Sequence, residues 1–457
     1  MDQPAIGEAT NEADIERALE RSQEKCETVF RPGPRQDKEA ECDCKAGMFP
    51  QGKVGTASRR AFLRGTGLVT AAAAIVPVRA LAADDGEAPW SLPGAIAKSD
   101  YGSRAGFEKV ARLATFAGTS SLTPLQAGVG IITPSGLHFE RHHNGIPAID
   151  PKDHRLIIHG MVDKPMKYSV EDLKRFPSVS RIIFIECSGN SNAASRSASQ
   201  KTAQEAHGLT STSEWTGVKL STLLAQVGVK DGAAWVLAEG SDGAMLSRSV
   251  PIDKMLDDAM VAYAQNGEAI RPENGYPMRL ILPGWEGNIN VKWLRRLKIG
   301  DKPFMTREET SKYTDLITLT GKARQFSWVM EAKSLITFPS GDMRLPGKGF
   351  YEITGLAWSG RAPIERVEVT TDGGKTWHLA SLQEPVLPKA HVRFRFPWVW
   401  DGTEAIIESR ATDQTGYVQP TKAFLTATEG VGPTYHYNGI QSWKVAADGS
   451  VSNVLQA

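Results

Sequence analysis

Beyond residue 44 the chain has a single cysteine, Cys187; the other three, Cys26, Cys42 and Cys44, crowd the first fifty positions. A disulfide framework is therefore excluded from the body of the protein. Cys42-Asp43-Cys44 with Cys26 lacks the spacing of a zinc site, and these thiols read as incidental to a polar leader. No C-x-x-C-H motif is present to attach haem covalently, and no segment is left over for a haem domain of cytochrome b5 type. No apolar run reaches the roughly 18 residues that a membrane-spanning helix needs. Charge of one sign is missing too: 53 Lys+Arg face 52 Asp+Glu, a net +1, which offers no field for nucleic acid or an anionic membrane. At 457 residues, 41% hydrophobic and 23% charged, the composition is that of a globular protein with room for two domains.

Residues 1–57 are polar and rich in Glu, Lys and Gln, an unstructured extension or a start site assigned too early. Residues 58–82 are more specific. Arg59 and Arg60 precede Phe62-Leu63, a weak apolar stretch runs from Gly67 to Pro77, and Ala80-Leu81-Ala82 closes it. Paired arginines, a mild apolar core and a small-residue cleavage site are the marks of a twin-arginine export signal. They predict a mature chain starting near Ala83, carried folded into the periplasm, which suits a protein that takes up a cofactor first. The competing reading is a buried helix that opens with two arginines.

From 100 to 310 the pattern is mixed. Arg155–Gly160 reads as a strand, Ser169-Val170-Glu171-Asp172 has the spacing of a helix capping box, and Leu220–Val227 reads as a short amphipathic helix ended by Gly228. Arg181–Glu186 is an apolar run suited to a buried strand, and it delivers the chain into the loop Cys187-Ser188-Gly189-Asn190. From 322 to 445 the signal is β: Tyr351–Trp358 is strand-like, Val367, Val369 and Thr371 alternate before the Asp372-Gly373-Gly374 turn, and Phe394, Phe396 and Trp398 alternate again. The expected architecture is α+β, a catalytic domain followed by an immunoglobulin-like β-sandwich.

A lone cysteine is most often a small buried hydrophobe. Against that, Cys187 stands at a strand end, is followed by a loop whose backbone amides can approach a ligand, and would carry an unpaired thiol into an oxidising compartment. A thiolate is a soft ligand that suits a soft metal centre.

Ile185-Glu186-Cys187-Ser188-Gly189-Asn190 resembles the cysteine loop of the sulfite oxidase family of molybdenum enzymes, and the likeness extends over roughly 125–445. Phe139-Glu140-Arg141-His142-His143 resembles the family's pterin-contacting arginine–histidine segment, and Trp215–Leu220 its segment before a short helix. Arg279, with Pro283-Gly284 through Asn290-Val291-Lys292-Trp293, is similar to its phosphate-side contacts. Ala357–Gly360 and Asp372–Trp377 resemble its dimerisation domain. The resemblance implies a molybdenum–molybdopterin cofactor held through Cys187, with Phe139, Glu140, Arg141, His142, His143, Asp242, Asn274, Arg279, Asn290, Val291 and Lys292 around the pterin. It also implies a catalytic trio of Cys187, Arg141 and Tyr313, and a homodimer. Each residue has a plainer reading: Arg141 and His143 as a solvated pair, Arg279 as a structural ion-pair partner, Lys292 as a surface charge and Asp242 as a turn former. Trp358 and Trp377 read as packing residues.

Members that oxidise sulfite follow the cysteine loop with substrate-binding arginines, where this chain has Ser191 and Asn192. It reads Tyr437-Asn438-Gly439 where another substrate arginine is expected, and Asn274 stands for a cofactor histidine. The remaining cation beside the metal is then Arg141. The pattern resembles the sulfane dehydrogenase branch of the family, which implies oxygen-atom transfer to a sulfane sulfur on a carrier-protein cysteine. Electrons would pass to a separate c-type cytochrome, in a dimer or a heterotetramer with it. Two alternatives stand beside this: a periplasmic sulfite dehydrogenase, and a periplasmic binding or scaffold protein that keeps the fold without metal.

Overall fold

The computed structural model describes residues 100–115, 118–430 and 435–455; residues 1–57, the export signal expected at 58–82 and three of the four cysteines lie outside the described residues. No helix among the described residues is long and apolar enough to cross a membrane.

Two five-stranded sheets build the first half. In one, Thr210–Lys219 lies between Ser178–Glu186 and Met260–Gln265, and Arg279–Ile281 also pairs with the latter. The Ser178–Glu186 pairing is antiparallel and runs unbroken from Ser178 opposite Val218 to Glu186 opposite Thr210. In the other, the order is Met166–Tyr168, Leu156–Gly160, Leu294–Gly300, Trp235–Gly240, Ser247–Pro251, antiparallel except where Leu294–Gly300 runs parallel to Leu156–Gly160. Leu156, Ile158, Leu220, Leu224, Leu294 and Leu297 pack in a shared core. Leu220–Val227 is the helix the periodicity predicts, ended at Gly228 with φ 65°. The Ser169 capping box forms, Asp172 N donating to Ser169 Oγ and Ser169 N to the Asp172 carboxylate. Its helix, however, lasts only one turn, Val170–Leu173. Pro177 disfavours helical backbone at the residue before it, which leaves no room for a second turn.

A hairpin, Thr314–Ile317 with Lys322–Gln325, precedes a two-sheet sandwich. One sheet orders Lys333–Phe338, Gly349–Trp358, Val392–Trp400, Ser381–Leu382; the other orders His378–Leu379, Ile364–Thr370, Ala405–Asp413, Ser442–Val445, Val451–Val454. Along Val392–Trp400 the side chains alternate as the pleat requires: Phe394, Trp398 and Trp400 are buried while Arg395, Pro397 and Val399 face out. Trp358, Phe394, Trp443, Val367 and Ile407 fill the space between the sheets, so Trp358 is core packing, as expected. The fold class is α+β, with few and short helices.

Candidate cofactor and metal site

Strand Ser178–Glu186 buries Ile183 and Ile185 in a third apolar cluster with Phe139, Trp215 and Ile281, and Cys187 packs against its rim. The chain then turns sharply. Cys187 N donates to Leu209 O at 3.0 Å, Asn190 N to Cys187 O at 2.8 Å, and His436 N, from far along the sequence, to Ser188 O at 2.8 Å. Gly287 lies flat against this turn: a Cβ there would stand 2.9 Å from Glu186 O and 3.3 Å from the Cys187 Cα. Cys187 itself is partly exposed, at the wall of a cleft of about 700 Å³.

Every catalytic and cofactor-binding residue implied by the sequence lines that cleft: Cys187, Arg141 and Tyr313; Phe139, Glu140, His142 and His143; Asp242, Asn274, Arg279, Asn290, Val291 and Lys292. The fold explains the convergence. Glu140–Arg141 is held as a short strand against Ser120–Leu122. Asp242 follows the strand Trp235–Gly240 and closes a turn by accepting from Leu246 N with Oδ1; its turn chemistry and its place in the cleft are compatible. Asn290–Lys292 leads into Leu294–Gly300 and bonds back across Arg279–Ile281, Asn290 Oδ1 accepting from Leu282 N at 2.7 Å.

Two cations meet at the closed end. Arg279 donates to Asn274 O and Asn290 O at 2.8 and 2.9 Å and stacks on Trp215 at 4.9 Å. Lys292 donates to Arg141 O and Glu273 O. Burial, and next the Arg279 charge, pull Lys292 down to about 7. Two desolvated cations side by side call for an anion. Among the described residues the buried donors Arg279 Nε and Asn274 Nδ2 have no hydrogen-bond partner and point the same way; both ring nitrogens of His142 and the acceptor Asn288 Oδ1 are unpartnered too. The donors fit a phosphate, and the Asn288 acceptor fits an N–H of a pterin ring. Among the described residues no group of three or more His, Cys, Asp or Glu could hold a bare ion. A metal at Cys187 must therefore bring most of its own ligands, as a dithiolene does.

Lys292 supplies a pH test. Its folded value lies below that of a free lysine, so between about pH 7 and 10.5 the unfolded chain binds more protons. Cofactor-free protein in phosphate-free buffer is expected to gain stability as pH rises through that window, and a bound phosphate ester is expected to remove the gain. Thermal midpoints against pH, with and without cofactor, check this; a flat cofactor-free profile would contradict it.

The metal side differs from the sequence reading in one respect. Arg141, donating to His142 O and Thr119 Oγ1, is not the only cation near the cysteine loop. Burial opposes a charge on His436, but its hydrogen bond to Glu286, 3.2 Å away, together with the charges of Glu286, Asp315 and Glu331, outweighs this and raises it to about 9. Glu286 is in turn pushed up by burial, but Arg248, His436 and Asn288 together outweigh this and hold it down to about 2. Arg248, fully buried, lies 3.0 Å from Glu286, 3.7 Å from Glu309 and 5.0 Å from the Tyr313 ring. Tyr313 OH and His143 Nε2 are 3.4 Å apart; burial, then Arg141, hold His143 down to about 4. Burial raises the Tyr313 phenol and, at Cys187, the thiol. The sequence reading missed His138, Asn288, Glu286, Arg248 and His436. Glu286 and Asn288 lie inside the segment Pro283–Trp293 that it matched, whereas Arg248 and His436 carry no local signal.

Comparison with known proteins agrees with this geometry. Residues 143–308 match the oxidoreductase molybdopterin binding domain and 324–442 the Mo-co oxidoreductase dimerisation domain. The NADH nitrate reductase of Solanum lycopersicum is 32% identical over 345 residues, 64% of this chain and 36% of that protein. That of Ulva prolifera is 29% identical over 330 residues, 66% of this chain and 36% of that protein. The chain thus spans about a third of the length of these reductases. Among solved structures, the sulfane dehydrogenase SoxCD from Paracoccus pantotrophus superposes with a TM-score of 0.79 at 47% identity, over 81% of this chain and 98% of that one. A cysteine-walled cleft that also holds the buried Arg279 and Lys292, in a chain matched along both halves, places this protein in the sulfite oxidase family of molybdopterin-binding oxidoreductases.

Proposed function

We propose that this chain is the catalytic molybdenum subunit that oxidises sulfane sulfur held on a cysteine of a carrier protein, in the periplasm, and passes electrons to a c-type cytochrome partner. Cys187 holds the metal, Arg279 and Lys292 grip the phosphate, and Asp242, Asn274 and His142 present polar atoms to the pterin. Glu140, His143, Phe139, Asn290 and Val291 complete the walls. When bound, the molybdenum cofactor supplies oxygen-atom transfer to sulfur. Tyr313 and His143 form a neutral hydrogen-bonding pair beside the cysteine, and Arg141 orients an anionic group. The paired arginines at 59–60 support export in the folded state, and the sandwich supports a homodimer or a heterotetramer with the cytochrome.

The observation that carries the substrate reading is the use made of the residues after the cysteine loop. Ser191 Oγ is bonded to His207 Nδ1 at 2.6 Å and accepts from Lys333 Nζ at 2.8 Å, and that ammonium spends its other protons on Glu186 Oε1 and Tyr437 O, so no cation is turned from here toward a free dianion. The similarity to a sulfane dehydrogenase supports the same choice. One observation favours free sulfite instead: His436 is a second cation near the loop, and its buried Nδ1 has no hydrogen-bond partner among the described residues. Turnover decides between them. With cytochrome as acceptor, the sulfane reading expects oxidation of persulfidated carrier and little turnover of sulfite alone; efficient sulfite turnover without carrier would overturn it.

A further inference from the structure

The polar bonds of the cysteine loop do not end in its own domain. Lys333, on the first strand of the sandwich, reaches across with its side chain only 2% exposed. Its ammonium donates to Glu186 Oε1 at 2.9 Å, Ser191 Oγ at 2.8 Å and Tyr437 O at 3.0 Å. All three protons of a lysine are thereby used. Glu186 directly precedes Cys187. Its carboxylate also accepts from Asn190 Nδ2 at 2.9 Å and from the sandwich tryptophan Trp358 Nε1 at 2.6 Å. Lys333 and Trp358 thus grip the loop at both of its ends, Glu186 and Ser191.

A second observation is independent of these bonds. Ser191 has φ 67°, a left-handed backbone that costs a non-glycine residue free energy and persists only where the surroundings impose it. Here they do: the Ser191 hydroxyl sits between Lys333 and His207. His207 Nε2 is bonded in turn to Gln441 Oε1 at 2.9 Å, and Gln441 Nε2 donates to Asn453 Oδ1 at 2.7 Å. A continuous polar chain therefore runs from the loop into the outer strands of the second sandwich sheet.

We propose that Lys333 is the positioning residue of the cysteine loop, tethering Glu186 and Ser191 on either side of Cys187, so that the sandwich is part of the metal site as well as an assembly domain. The inference rests on Cys187 holding the metal, and the metal content of the unaltered protein tests that premise separately.

The test compares Ser191→Ala, Lys333→Met and the uncharged pair Glu186→Gln with Lys333→Met. The last keeps the packing while avoiding the lone buried carboxylate that Lys333→Met leaves. In cofactor-loaded protein the readouts are kcat, KM and the electron paramagnetic resonance signal of the half-reduced metal. In cofactor-free protein the readout is amide hydrogen exchange over 187–192. We expect kcat to fall about 10- to 100-fold in the Lys333 variants, the scale of ångström misplacement at a reacting centre, with KM little changed. The resonance should shift, and loop amides should exchange about tenfold faster, as for loss of one charged hydrogen bond, while those of Leu156–Gly160 do not. A folded uncharged pair with the parent's resonance signal and loop exchange would overturn the proposal, because a purely structural Lys333 lowers the unfolding midpoint without moving either.

Discussion

Replacing Cys187 by serine is expected to lower turnover by more than about 100-fold, because changes to residues that merely support metal ligands already cost 10- to 100-fold. A hydroxyl is a hard ligand that does not ionise near neutral pH, so it cannot replace a thiolate at a soft centre. The fold should be untouched. Cys187 is the only cysteine among the described residues, is partly exposed at the cleft wall and pairs with no described thiol, and the bonds that shape its turn come from the backbone and from Glu186, Asn190 and Ser191. Turnover, metal content and the urea midpoint should therefore separate, the first two collapsing while the third holds. Turnover at the parent's rate would remove Cys187 from the site.

The largest loss of stability is expected at Arg248. Its side chain is fully buried between Glu286 and Glu309, themselves 1% and 0% exposed. Glu309 spends its carboxylate on Ser249 N, Ser249 Oγ and Thr306 N, so it is fixed in place and cannot turn away. Arg248→Met keeps the bulk but strands two buried carboxylates, and removing one partner of such a pair costs about 3–5 kcal/mol. Urea unfolding of the cofactor-free protein measures it. A loss below about 1 kcal/mol, the range of solvent-exposed pairs, would show that water or a rearrangement compensates the cluster.

Much of this site is legible in the sequence because its parts are carried by contiguous segments. Phe139–His143, the loop at Cys187 and Pro283–Trp293 each hold several lining residues together. A strand that ends in a cysteine, or a run entering a strand, fixes where those side chains arrive. Sandwich strands are legible for a similar reason: a period of two survives in Val392–Trp400 whatever the strand pairs with. The short helix at Ser169 shows the limit of local signals, since its cap is read correctly and its length is decided by Pro177.

The supporting ion pairs are invisible for a physical reason. Lys333 and Glu186 are 147 positions apart and His436 is tied to Glu286 across a comparable gap. An isolated Lys or Arg in a strand has the composition of a surface charge, and only tertiary packing reveals that Arg248 and Lys333 are buried. Charge placement around the cysteine loop is therefore the part that sequence reading gets least well.

Molybdenum content per chain, by elemental analysis of protein purified from a host that makes the cofactor, tests the central claim most directly. About one metal per chain, lost in Cys187→Ser, is the expected result for a site whose protein ligand is this one thiolate. Protein that is folded and free of molybdenum would contradict it and leave a binding or scaffold protein with Cys187 as an ordinary thiol.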